Sequence, residues 1–208
     1  MTTSQRAAEG LISSVLRRQS RGLHPRVEPR PRRAPATRPT AALLVMDVER
    51  EVPDRRPGEV VDRAAEAVVA ARQVGMMVVF VRAAPRAGDD SAGHPDLAPL
   101  LGEPIVTTRR VSAFSGTDLE VLMRVRRARS LVLCGIATSG VVLSTLRAAA
   151  DLDFELTVLR DACADADPEV HRILLDKVFP QQAEVIDVAT WATGLTGHVV
   201  VFPGRISS

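Results

Sequence analysis

The chain is expected to fold as an α/β protein, a three-layer α/β/α domain on a mostly parallel sheet. Three observations point there. Short, continuous apolar runs recur along the chain, as in strands buried on both faces. Amphipathic segments of helical period separate them. Turn-forming residues mark the boundaries, and strands alternating with such helices build a parallel, helix-covered sheet.

Taken in order, 41–46 (AALLVM) is the first apolar run and reads as a strand. The segment 57–74 is an amphipathic helix with Val61, Ala64, Ala65, Val68 and Ala71 on one stripe, and Gly75 is its C-terminal signal. A second buried strand covers 76–81, and 83–103, rich in Gly, Pro and Asp, reads as a long loop over one end of the sheet. Helices are expected over 117–127, 139–150 and 168–177, the last with Asp167 as N-cap. Strands are expected over 131–134, 154–159 and 183–188, and a short helix over 189–195 closes the series. Carboxyl ends of parallel strands share one rim, where open α/β sheets place their ligands.

Composition sets the broad class. Of 208 residues nearly half are apolar and a quarter charged, as in a globular protein large enough for one core. No apolar run approaches the roughly 20 residues that cross a bilayer, and residues 1–40 lack the apolar core of a secretory signal. Cys134 and Cys163 supply neither a disulfide framework nor metal spacing, which points to a reducing cytoplasm. His24, His94, His171 and His198 show no ligand spacing either, so no metal and no cofactor is expected.

The formal charge of +2 is unevenly spread: 1–40 carry +7 and the remaining 168 residues −5. The domain is therefore placed at 41–208, preceded by an Arg/Pro-rich extension. Within it 7–18 has one apolar face, and 21–40 holds five prolines and reads as an extended linker. The extension is a flexible tail or an arm against a neighbouring subunit, with an anionic partner or organelle targeting as the remaining readings. Lys177 is the only lysine, so arginine dominates everywhere and its excess alone does not indicate a nucleic-acid partner.

The rim carries the functional signal. In LVLCGIATSGVVLST, 131–145, a strand ends in glycine, a polar turn follows and a helix begins. Free N–H groups of such a turn favour anionic or carbonyl oxygens. Asp47 ends the first strand, where partial burial suits a carboxyl to proton transfer. Arg82 and Arg86 follow the second strand, within reach of an acidic substrate or simply solvated. Cys134 reads as core, and Cys163, following a strand, approaches the rim.

Five ordered blocks, ALLVMDVER, AARQVGMMVVFVR, VTTRRVSAFSGTDLEVL, LVLCGIATSGVVLST and LTVLRDACAD, resemble the isochorismatase-like cysteine hydrolases. That family includes isochorismatases, nicotinamidases and N-carbamoyl amidohydrolases. The resemblance implies the α/β/α fold, small-molecule substrates and homo-dimers or tetramers. It also implies a catalytic Asp, Lys and Cys, whose matching positions are Asp47, Thr108 and Val141. This chain thus keeps the Asp and departs at the other two. Arg109, adjacent to Thr108, is a candidate replacement cation, although one residue's shift along a strand reverses the facing. Ala137 and Val141 match the N–H donors of the family's oxyanion hole, and Ile136–Ala137 its cis peptide. Phe114 and Trp191 are candidate core or pocket wall.

Two functions stay open. One is a cysteine-independent hydrolase, like the isochorismatase branch, with Asp47 as general acid or base. The other is a degenerate member that binds a small molecule or a partner without turnover. A thiol chemistry through Cys163 is a third, minor reading.

Overall fold

The computed structural model describes residues 41–48, 57–84 and 97–196. The extension, Arg86, His24, His94 and His198 lie outside them. Among the described residues six strands form one sheet: β1 (Ala41–Met46), β2 (Met77–Ala83), β3 (Ile105–Thr108), β4 (Ser130–Ile136), β5 (Glu155–Ala164) and β6 (Glu184–Ile186). Their spatial order is β3-β2-β1-β4-β5-β6. Every neighbouring pair is parallel, so the sheet is wholly rather than mostly parallel.

The two central strands explain the continuous apolar runs. All of β1 after Ala41 is buried, and β4 is buried from Leu131 to Ile136. Leu43, Leu44, Leu131 and Leu133 have no exposed surface. Each such leucine contributes about 1.5–3 kcal/mol by leaving water. Helix α1 (Pro57–Gln73) buries Val61, Ala64, Val68 and Ala71 as expected, with Val60 and Ala67 beside them. It ends at Gly75, whose φ of +69° lets its amide reach the Arg72 carbonyl while the Met76 amide reaches that of Ala71. That pair of bonds is the Schellman ending, for which the left-handed glycine is needed.

Part of the expected long loop is tied down. Arg72, in the last turn of α1, grips Glu103 through Nε at 2.8 Å and Nη2 at 2.7 Å, and Nη2 also donates to the Ala98 carbonyl. The Leu100 amide donates to the same carboxylate. The bond from Arg72 holds the Glu103 carboxyl below its usual value near 4.5, against the opposing effect of burial. A depressed carboxylate stabilises the fold above that value and loses its contribution as pH falls through it. Glu103→Gln is therefore expected to lower stability by about 1–3 kcal/mol at pH 7. In urea titrations the gap from the parent should narrow as pH falls below that usual value, and a gap that stays constant into strong acid would argue against the ion pair.

Helix α2 (Leu119–Val125) is shorter than expected, and Leu119 and Met123 are its buried residues. After β4 the chain makes a π-helical turn, Thr138–Val142, before α3 (Leu143–Asp151). Helix α4 (Pro168–Ile173) carries the expected cap: Asp167 Oδ1 accepts the Glu169 and Val170 amides at 2.8 and 3.2 Å. A π-helical segment, Leu174–Val178, and a short 3-10 turn, Phe179–Gln181, lead to β6. In α5 (Val188–Thr196) the first amide, from Val188, donates to Asp161 Oδ1 at 2.9 Å. Trp191 is buried in the core, as one of its two expected places.

Strand β5 corrects the sequence reading. It runs to Ala164, five residues past the expected end, because the ladder with β4 shifts register between Leu133 and Gly135 and then resumes at Gly135↔Cys163. Cys163 therefore lies inside the sheet, paired with Gly135 near the carboxyl ends of the strands but fully buried.

Candidate active site

The sheet order dictates where a ligand site can form. From β1 the chain moves outward through β2 to β3, then returns to β4 on the other side of β1 and moves outward again through β5 and β6. Connections leaving β1 and β4 therefore diverge, and their carboxyl ends open the crevice used by doubly wound sheets. Asp47 follows β1 there, and the Thr138–Val142 turn follows β4.

The two strand ends approach unusually closely. Met46 pairs with Gly135, whose φ is +155°. A Cβ at Gly135 would stand 2.2 Å from the Met46 carbonyl oxygen and 2.8 Å from its Cβ, so only glycine fits. Beyond it lies the Ile136–Ala137 cis peptide, at the position that the family resemblance implies. The Ala137 carbonyl accepts the Gly140 and Val142 amides at 3.1 and 3.2 Å, which folds the turn back on itself.

Asp47 adopts φ +49°, a left-handed conformation that Asp tolerates. Its amide donates to the Val81 carbonyl at 2.9 Å, and its Oδ1 accepts the Ala83 amide at 2.7 Å. The half-buried carboxyl is thus clamped across β1 and β2. Asp47, Arg82, Phe80 and Leu97 line a cavity of about 10 Å³, room for about one water. A larger cavity, about 400 Å³, opens at the other end of the sheet beside Ala41, Met77 and Pro104, away from the carboxyl rim.

Thr108 ends β3 opposite Ala83, so Asp47, Ala83 and Thr108 stand in a row along the rim. Thr108 is only 3% exposed. Its hydroxyl donates to the Arg110 carbonyl at 2.9 Å and accepts the Arg110 amide at 3.1 Å. Val141, 5% exposed, sits in the turn on the opposite side of Asp47. The three positions share one rim, with Asp47 between the other two.

A model of the isochorismatase domain matches residues 41–190. The isochorismatase family protein YecD of Escherichia coli O157:H7 is 32% identical over 174 residues, covering 72% of this chain and 93% of that protein. The chain belongs to the isochorismatase family. The structure of an isochorismatase family protein from Burkholderia thailandensis aligns with a TM-score of 0.69 at 28% identity, over 76% of this chain and 96% of that one. A shorter match, 35% identity over 106 residues, links 51% of this chain to 43% of the ureidoacrylate amidohydrolase RutB of Azorhizobium caulinodans.

As an isochorismatase-family chain it lacks an accessible thiol among the described residues. Cys134 lies in β4 with its Sγ 3.6 Å from the Leu44 carbonyl, and burial drives its thiol well above the usual range. Burial likewise pushes Cys163 up to about 12. Neither forms a thiolate near neutrality. Arg109 is exposed beyond β3, and no hydrogen bond or ion pair engages it among the described residues. Phe114 stacks on Phe154, just before β5, with ring centroids 5.9 Å apart, and both pack against the core. Ala137 is half-buried at the head of the turn. No group of three or more metal-ligating side chains occurs among the described residues.

One set of polar residues escaped the sequence reading. Thr138 Oγ1 lies 2.8 Å from His171 Nδ1, and the Ser139 amide donates to Asp165 Oδ2 at 2.6 Å. Thr138 is 33 residues from His171, and Ser139 is 26 from Asp165, with no spacing motif to link them. Only the β4–β5 pairing brings them together.

Proposed function

We propose that the chain is a small-molecule hydrolase whose chemistry runs through the Asp47 carboxyl and not through a cysteine. The observation that carries this reading is the place of that carboxyl: half-buried at the switch point, held at 2.7 Å by the Ala83 amide, beside a turn bearing Val141 where a thiol would stand. A vinyl ether suits such a site. The Asp47 carboxyl delivers its proton to the far carbon of the double bond, and the ether carbon becomes an oxocarbenium centre. Water adds there, the hemiketal expels the alcohol to leave a ketone, and the proton shed returns to the carboxylate. No bond to the protein forms at any step. A positioned acid of this kind contributes about 10²–10⁴-fold. A homo-oligomer in the cytoplasm belongs to the same proposal.

A second reading, binding without turnover, is favoured by one observation. The Thr108 hydroxyl is consumed by Arg110, so neither it nor a cation at that position attends Asp47.

The test is a panel of vinyl ethers, amides and carbamoyl compounds, the last including ureidoacrylate because of the matched amidohydrolase. Turnover is expected to survive iodoacetamide under native conditions, since both cysteines are fully buried. Inactivation that tracks labelling of Cys163, and that Cys163→Ser prevents, would overturn the Asp-centred chemistry.

A further inference from the structure

Three of the buried polar side chains converge on one turn. Thr138 is fully buried, Asp165 is 5% exposed and His171 7%. Burying a hydroxyl, a carboxylate and an imidazole is unfavourable unless each finds a partner. Here each does, at the start of the Thr138–Val142 turn and along the segment from Asp165 to His171. The His171 ring meets the Thr138 hydroxyl, and the Asp165 carboxylate accepts the main-chain amide of Ser139. The second oxygen of Asp165 accepts the Asp167 amide at 3.3 Å. The His171 amide in turn donates to the Asp167 carbonyl, and Asp167 caps α4. The segment from the end of β5 into the first turn of α4 is therefore a bracket gripping the first two residues of the turn.

We propose that Thr138, His171 and Asp165 are positioning residues that hold this turn so that the N–H groups of Ala137 and Val141 face the carbonyl or anionic oxygen of a ligand beside Asp47. The inference rests on the hydrolase reading only for its effect on turnover. The bracket itself is a claim about the turn's geometry. Directionality supports it. An ionised carboxylate only accepts hydrogen bonds, and both Asp165 oxygens meet main-chain donors, so the turn has one orientation that satisfies the group. Burial alone pushes the Asp165 carboxyl up. The Ser139 amide and hydroxyl, the Asp167 amide and the His171 ring outweigh it and leave the group below its usual range. Such an arrangement matters because donors to a developing oxyanion act only when correctly placed, and a displacement of about 1 Å costs on the order of 10²-fold in rate.

The substitutions separate positioning from packing. Thr138→Val keeps the shape and removes the hydroxyl. His171→Phe keeps a ring and removes Nδ1. His171→Asn places its side-chain nitrogen or oxygen near the position of Nδ1 and should restore the bond. The first readout is the Ser139 amide in nitrogen–proton spectra. In the parent it is expected far downfield and slow to exchange, as a 2.6 Å bond to a carboxylate requires. Neither Thr138→Val nor His171→Phe removes the donor or the acceptor of that bond, yet both are expected to move the Ser139 signal upfield and speed its exchange at least tenfold. His171→Asn should return it towards the parent, and Asp47→Asn should leave it unchanged. The second readout, on any substrate turned over, is a fall in kcat of about 10–100-fold with KM little altered, again rescued by His171→Asn. If no substrate is turned over, the amide readout decides alone. A Ser139 signal that ignores Thr138→Val and His171→Phe, or a fall in melting temperature with no change in Ser139 and no rescue, would overturn the proposal.

Discussion

Gly135→Ala is expected to destabilise the protein at or beyond the upper end of the about 1–3 kcal/mol that overpacking ordinarily costs. The new Cβ would meet the Met46 carbonyl oxygen at 2.2 Å and the Met46 Cβ at 2.8 Å, and both belong to the strand paired with it. Neither neighbour can rotate away, because Met46 is held on one side by β2 and on the other by β4. The φ of +155° adds strain for any residue with a Cβ. Since Asp47 follows Met46 directly, the same substitution should displace the site carboxyl. Gly116→Ala is the control: its φ is +72°, but nothing lies within 4 Å, so only the left-handed cost of roughly 1–2 kcal/mol applies. Urea denaturation of both variants checks this. Equal midpoints for the two would mean that β1 and β4 do not approach as described.

Asp47→Asn is expected to cut turnover by about 10²–10⁴-fold while leaving the melting temperature near that of the parent. An asparagine oxygen can still accept the Ala83 amide, so the clamp across β1 and β2 survives. What it cannot do is deliver a proton. A large fall in stability alongside the lost activity would instead assign Asp47 a structural role.

Much of this was legible in the sequence, for reasons that differ by element. The run AALLVM announced β1 because a strand covered on both faces must be apolar throughout. Gly75 and Asp167 marked helix ends because main-chain groups there need a left-handed turn or a side-chain acceptor. Strand β3 was not marked by its own pattern: it is four residues long on the sheet edge, and Ile105 and Thr107 are exposed. The end of β5 was misjudged because Arg160 and Asp161 interrupt its apolar run where the register shifts, and the pairing with β4 resumes only at Cys163.

At the site, counting along motifs brought Asp47, Thr108 and Val141 to a common rim but could not give side-chain direction. Nothing in VTTRRVSAF says that the Thr108 hydroxyl turns into its own loop to meet Arg110. The bracket of Thr138, His171 and Asp165 was invisible for a different reason. Its members reach the turn from different elements, and buried hydrogen bonds between distant elements leave no periodicity.

The central claim is that Asp47 performs proton transfer without a protein nucleophile, and one assay tests it most directly. The parent, Asp47→Asn and the double variant Thr108→Lys with Val141→Cys are compared on one panel of vinyl ethers, amides and carbamoyl compounds. The parent is expected to turn over at least one vinyl ether, with Asp47→Asn at background on that compound. Background rates for both parent and Asp47→Asn, with activity appearing only in the double variant, would contradict the account and identify a disabled hydrolase.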